Sequence, residues 1–342
     1  MTSPRRQIVD PVEAGFYHCI SRCVRRAFLC GADAVSGRSF EHRKDWVEDR
    51  LLELAAMFAV GVYAYAVMSN HVHVVIYLAP GASLAWSPEE IAERWVRLFP
   101  VRAIDGRVDV DATHHRAQAM LGNPERLAEC RSRLASLSWF MRCLNEPIAR
   151  RANREDMCTG RFWEGRFKCQ ALLDDQAVLA CMSYVDLNPV RAGVVPDLAS
   201  SGHTAIKRRL DTGTPAIGCL PPIAASVPAA QMPLDEVEYV MLVDWTGRIA
   251  RPDKRGAIAT DAPPALARLD VDADAWHQQV LGIESRYWRA VGAAEALLDK
   301  ARRMGQCWLK GVAAVKGAGG HRDRSATSNV PTRAAASPAS SG

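Results

Sequence analysis

Residues 65–78 read YAVMSNHVHVVIYL, and this stretch decides how the chain folds. One run rich in β-branched and aromatic residues ends at Val67, Ser69-Asn70 offer a turn, and a second run follows at once. The pattern predicts paired strands over about 61–67 and 70–78. On the second strand residues i and i+2 share a face, so His71 and His73 stand side by side. Two imidazoles on one rigid strand face can supply two ligands to a divalent cation. Taken alone, the triplet is equally the mark of two satisfied core histidines.

Outward from this hairpin, GFYHCISRCV at 15–24 reads as an earlier strand. Between them, Phe40, Trp46, Val47, Leu51, Leu54 and Met57 fall at helical spacing over about 38–59. Ser87-Pro88 followed by Glu89 and Glu90 opens another helix. Residues 100–130 are polar and rich in breakers, and read as an irregular insertion. A long amphipathic helix is predicted over about 131–152, and GRFWEGRFKCQALL at 160–173 reads as a turn and a strand. Asp174 offers an N-cap to a helix reaching about 187, which Asn188-Pro189 closes. This order predicts an α+β fold, an antiparallel sheet with flanking helices. The proline-bearing stretch 213–230 reads as a linker, 231–314 as a mainly helical second domain, and 315–342 as a disordered tail.

The 342 residues allow two domains or one enlarged one, and 49% hydrophobic with 24% charged residues is ordinary for a soluble protein. No apolar run of about 18 residues occurs, which excludes a transmembrane helix. MTSPRRQIVDPVEAG lacks an apolar core after its arginines, so no secretion signal is read and a cytoplasmic location is expected. The ten cysteines form no CxxC pair, which speaks against a structural zinc and for small buried hydrophobes. The net charge of +5 is modest but gathered in clusters. These are Arg22, Arg25 and Arg26; Arg161, Arg166 and Lys168; Lys207, Arg208 and Arg209; Lys300, Arg302 and Arg303. Such clusters suit a polyanion, although solvated faces also carry them.

Tyr184 and Asn188, four residues apart, lie on one face of the predicted helix, flanking an apolar stripe of Val178, Met182 and Val185. The amide oxygen of Asn188 is a hard ligand that can join the two histidines around Mg²⁺ or Mn²⁺. Spacing alone favours the plainer alternative, a core tyrosine and a helix terminator. Arg161, Arg166 and Lys168 lie just before this helix, where backbone phosphates could pass, and Arg191 at its end is either another phosphate contact or only a helix-end charge. Trp163 is either a platform for an unstacked base or a core aromatic, whereas Phe167 is assigned to the core. Tyr17 and His18 are further candidates near the site. His114 and His115, in the insertion, are read as exposed.

Four segments in this order, YHCISR, YAVMSNHVHVVI, GRFWEGRFKC and YVDLNPVRAGVV, resemble the single-tyrosine HUH transposases. Among these, the REP-associated tyrosine transposases are the most similar branch. The resemblance spans about residues 12–200 of a domain placed at 1–212, with 80–131 as an insertion, and does not reach the C-terminal third. It implies a ferredoxin-like sheet carrying His71 and His73 on a central strand as metal ligands. Tyr184 matches the nucleophile and Asn188 the third ligand of the Mg²⁺ or Mn²⁺. It further implies single-stranded DNA with hairpin-forming repeats as substrate, cut and rejoined through a 5′-phosphotyrosine. Both monomers and homodimers with shared sites are expected from such relatives. The alternative it leaves open is a domesticated DNA-binding or regulatory protein that no longer cuts.

Overall fold

The computed structural model describes residues 5–24, 30–31, 37–213, 215, 218–249, 262–285, 287 and 289–312. Its first half builds a sheet from β1 (Gly15–Arg22), α1 (Arg43–Ala55), β2 (Val60–Val67) and β3 (His71–Leu78). β2 is buried along its whole length, as its Val, Ala and Tyr residues allow. β3 lies between β2 and β1 and runs antiparallel to both, pairing Ala66 with His73 on one side and Ile20 with His73 on the other. The chain therefore crosses from β1 through α1 to β2 and returns to fill the gap.

Four helices follow, α2 (Pro88–Leu98), α3 (Val110–Leu121), α4 (Pro124–Leu134) and α5 (Leu137–Glu155), before β4 (Lys168–Leu172) pairs antiparallel with β1. The inner order β2–β3–β1–β4 is the split βαβ arrangement of ferredoxin-like folds. α1 and α5 cover one face. Tyr65 on β2 donates its hydroxyl to Glu48 of α1 at 2.5 Å, and Asn145 of α5 donates to Ser21 of β1 at 2.8 Å. Arg43, fully buried at the start of α1, ties the two helices together. It bonds Glu155 at 2.6 Å, also reaches Asp156, and its guanidinium lies 4.1 Å from the centre of the Phe40 ring.

Residues 100–130, expected to be irregular, instead form two capped helices. Asp109 accepts from the Ala112 amide to start α3, and Asn123 accepts from Arg126 to start α4, with Pro124 in the first turn. The breakers in this stretch are caps, which a polarity reading mistakes for loop.

α6 (Asp175–Asp186) crosses the opposite face of the sheet, with Asp174 accepting from Ala177 as its N-cap. Asn188-Pro189 does not end helical structure. After Leu187 the chain makes one further turn, α7 (Asn188–Arg191), in which Pro189 sits in the first turn where its missing N–H costs nothing. Beyond it come α8 (Ala205–Asp211), β5 (Ala224–Ala225), α9 (Glu236–Ile249), α10 (Pro264–Arg268), α11 (Ala273–Gly282), β6 (Ala290–Val291) and α12 (Ala294–Arg303). The stretch expected as a linker thus contributes β5, which pairs antiparallel with β2. The following region contributes β6, parallel to β4, completing a six-stranded sheet. The tail 315–342 and Arg25 and Arg26 lie outside the described residues. Among the described residues no helix is long and apolar enough to cross a membrane.

The apolar stripe foreseen for α6 is only part of its buried surface: every residue from Ala177 to Asp186 is buried. α9 and α11 close its outer side. The fully buried Asp186 carboxylate shows how tightly, accepting from the Tyr239 hydroxyl of α9 at 2.6 Å and the Ile206 amide of α8 at 3.1 Å. Tyr239→Phe removes one of these donors and should cost about 1–3 kcal/mol in urea unfolding. A loss below roughly 0.5 kcal/mol, the level of an ordinary surface change, would show that α9 does not support α6.

Candidate functional site

Strand register gathers the polar side chains. His73 stands opposite Ile20, and His18 stands opposite Val75 on one side and Gln170 on the other, so His18, His71, His73 and Gln170 share one sheet face. α6 lays Tyr184 over this face, its ring centre 5.8 Å from that of His73 and 6.3 Å from that of His18. The turn into α7 then brings the Asn188 amide nitrogen 3.2 Å from His73 Nε2. All four residues expected at a metal-and-tyrosine site therefore meet in space.

The hydrogen bonds fix where the protons sit. Gln170 donates its amide N–H to the Ile283 carbonyl at 3.0 Å, which turns its carbonyl oxygen towards His18 Nδ1, 2.8 Å away. Nδ1 of His18 must then carry the hydrogen, leaving its Nε2 to accept from His73 Nδ1 at 2.9 Å. His73 is thereby held with a lone pair on Nε2. His71 reaches the same state more locally, since its Nδ1 donates to the side-chain amide oxygen Oδ1 of Asn70. Burial favours the neutral rings. The pKa of His18 and that of His71 each fall to about 4, and that of His73 lies well below the usual value, with neighbouring positive charges adding to the effect.

Two neutral imidazoles with free Nε2 lone pairs and one amide are a donor set that fits a divalent cation. Rotating the Asn188 amide would present its oxygen in place of its nitrogen. Among the described residues no group of three His, Cys, Asp or Glu side chains is arranged to hold a metal.

Sequence reasoning missed one neighbour altogether. Glu284, in the turn after α11, sits 3.8 Å from His73 Nε2, and its carboxylate lies near enough to Tyr184 to act on the phenol's charge. Burial first, and then this carboxylate, push the Tyr184 pKa up to about 12, while the Arg191 guanidinium 4.8 Å from its ring centre acts in the opposite sense. Nothing in the local pattern GIESR announces that role. His18 and Gln170 had a weaker signal, as polar residues at inward positions of apolar strands. Tyr17 points to the other face, where its hydroxyl accepts from the Asp10 amide.

The basic residues divide. Arg22, Lys168 and Arg191 lie close enough to the histidines to depress their pKa values. Arg161 and Arg166 are exposed, with no contact to the histidines or Tyr184. Trp163 is half-buried and donates its indole N–H to the Asn145 carbonyl at 2.9 Å, and Phe167 lies 3.6 Å beneath the Arg5 guanidinium. The cluster at 207–209 serves the fold instead: Arg209 is buried against Glu236 at 3.0 Å, Lys207 pairs with Asp211, and Arg208 bonds Glu48.

These neutral histidines have a measurable cost in acid. The unfolded chain takes up their protons near pH 6.5, whereas the folded chain resists until about pH 4 or below. Stability of the cation-free protein should therefore fall as pH drops through that window, by up to about 1.4 kcal/mol per pH unit for each histidine. Urea midpoints at about pH 7 and pH 5 test this, and equal or higher stability at the lower pH would refute the neutral cluster.

No protein-family profile matches the chain, and no curated protein is similar to it in sequence. One solved structure, a REP-associated tyrosine transposase bound to a REP hairpin, is similar over 68% of this chain and 97% of its own. Its sequence identity is 12% and its TM-score 0.33, so the likeness assigns no residue here.

Proposed function

We propose that the chain is a transposase-type enzyme, a metal-dependent endonuclease and strand transferase for single-stranded, hairpin-forming DNA. The observation that carries this reading is the convergence of His71, His73 and Asn188 beneath the Tyr184 ring, with Asn188 3.2 Å from His73 Nε2. The ordered motifs of the sequence support it independently.

His71, His73 and Asn188 would hold Mg²⁺ or Mn²⁺. The bound cation would polarise the scissile phosphate and offset the charge that builds on its oxygens. Tyr184 attacks phosphorus through its hydroxyl oxygen, forming a 5′-phosphotyrosine as the bond to the 3′ oxygen breaks and that oxygen leaves as a 3′-hydroxyl. Glu284 stands near the phenol as a carboxylate that could accept its O–H, which matters because the group is far from ionised at neutral pH. Arg191 and Lys168, beside the site, neutralise flanking phosphates, and Arg161 and Arg166 extend the same basic surface. Trp163 offers an aromatic edge to an unstacked base. The phosphotyrosine keeps the energy of the broken bond, so a later 3′-hydroxyl can reverse the step and join strands.

A second reading, a DNA-binding regulator that no longer cuts, is favoured by one observation: the Tyr184 phenol is buried beside the Glu284 carboxylate and hard to ionise. The two readings separate with hairpin-bearing oligonucleotides and Mn²⁺. The enzyme should form a covalent adduct that Tyr184→Phe abolishes, with mass spectrometry placing the adduct on Tyr184. Cleavage by Tyr184→Phe at the parent's rate would overturn the mechanism, and binding without any adduct would favour the regulator. Gln170→Leu, which releases the His18–His73 tautomer, should raise the Mn²⁺ concentration for half-maximal cleavage by about 10- to 100-fold. An unchanged requirement would mean that the buried chain does not hold the ligand nitrogen.

A further inference from the structure

Beyond α12 the chain turns back along the edge of the sheet. Here Arg289, Gln306, Cys307, Trp308, Leu309 and Lys310 wall a cavity of about 460 Å³. Leu309 is buried, whereas Trp308 is 66% exposed. A single exposed tryptophan is unremarkable on its own. Here it borders a cavity whose described walls include two cationic side chains, Arg289 and Lys310.

The segment is held in place. Gly311 adopts φ +118°, and a Cβ there would come within 2.6 Å of the Tyr287 ring, so only glycine lets the backbone press against that tyrosine. Lys310 donates to the Ser285 carbonyl at 2.7 Å, and the Arg289 carbonyl accepts from the Ala171 amide of β4 at 2.9 Å. These anchors also link the cavity to the histidine site. Ile283 holds Gln170 and Ser285 holds Lys310, with Glu284, the carboxylate 3.8 Å from His73 Nε2, between them in the chain. Three consecutive residues span at most about 10 Å, so the short segment that carries Glu284 also carries the contact that positions Lys310.

We propose that this cavity is a subsite for one unpaired nucleotide of single-stranded DNA, with the base stacked on Trp308 and its flanking phosphates met by Arg289 and Lys310. Gln306 can hydrogen-bond the base edge. A duplex is excluded because the faces of its bases are already covered, while an unpaired base offers its π-face to the indole. The proposal rests on the single-stranded DNA reading of the neighbouring site, but it concerns affinity and not cleavage.

The test is fluorescence anisotropy of the full-length protein with a labelled single-stranded oligonucleotide and with the matching duplex, divalent cations withheld. Trp308→Ala should weaken single-strand binding by about 5- to 150-fold, Trp308→Phe should retain most of it, and duplex binding should not change. Lys310→Ala should lower the salt dependence of single-strand binding by about 0.7 in the log–log slope. An oligonucleotide carrying 5-iododeoxyuridine should photo-crosslink to Trp308. The proposal is overturned if Trp308→Ala binds single strands as the parent does, if it loses duplex binding equally, or if the parent binds no single strand. Adduct formation at Tyr184 with no effect of Trp308→Ala would sink the subsite alone. The expected Trp308 effects without any adduct would sink the nuclease reading alone.

Discussion

The site depends on one buried chain of hydrogen bonds, from the Ile283 carbonyl through Gln170 and His18 to His73. In a low-dielectric interior each of these groups must be satisfied, and only one order of donors and acceptors satisfies them all. The chain crosses β4, β1 and β3 in turn. A slip of one residue in any strand would send its member to the opposite face and leave the others unpaired. Sheet register and the orientation of the His73 lone pair are therefore a single constraint.

The two faces of the sheet divide the labour. Beneath, α1 and α5 are bound to the strands and to each other through buried Arg43, a pairing that stiffens the scaffold without approaching the histidines. Above, α6 is enclosed by α9 and α11, so Tyr184 is carried on a helix with little freedom to tilt. Around it stand Arg22, Lys168 and Arg191, with the carboxylate of Glu284 among them. Such a field attracts anions while placing one carboxylate near the phenol.

The parts that were legible in the sequence are those whose logic is local. His71 and His73 obey the strand period, Tyr184 and Asn188 the helical one, and each pair survives folding because its spacing is covalent. The antiparallel sheet with flanking helices also followed from the succession of elements. His18 and Gln170, by contrast, lie 152 positions apart, and only strand register makes them partners. Glu284 was invisible because its place depends on how α11 packs on α6. The capped helices at 110–134 were hidden by the polarity of the very residues that cap them. Short β5 and β6 were hidden because two residues carry no periodicity.

Those two short strands bear on how the molecule is made. β5 and β6 cover the outer edges of β2 and β4, which would otherwise offer open rows of N–H and C=O groups to any neighbouring strand. β6 begins at Ala290, nearly the length of a small domain after β4 ends at Leu172. At roughly 5–20 residues per second, a ribosome takes several seconds or more to bridge that gap. During synthesis the nascent sheet therefore carries an adhesive edge long after its central strands can pair. Crowded polysomes and overexpression are the conditions in which that interval matters most.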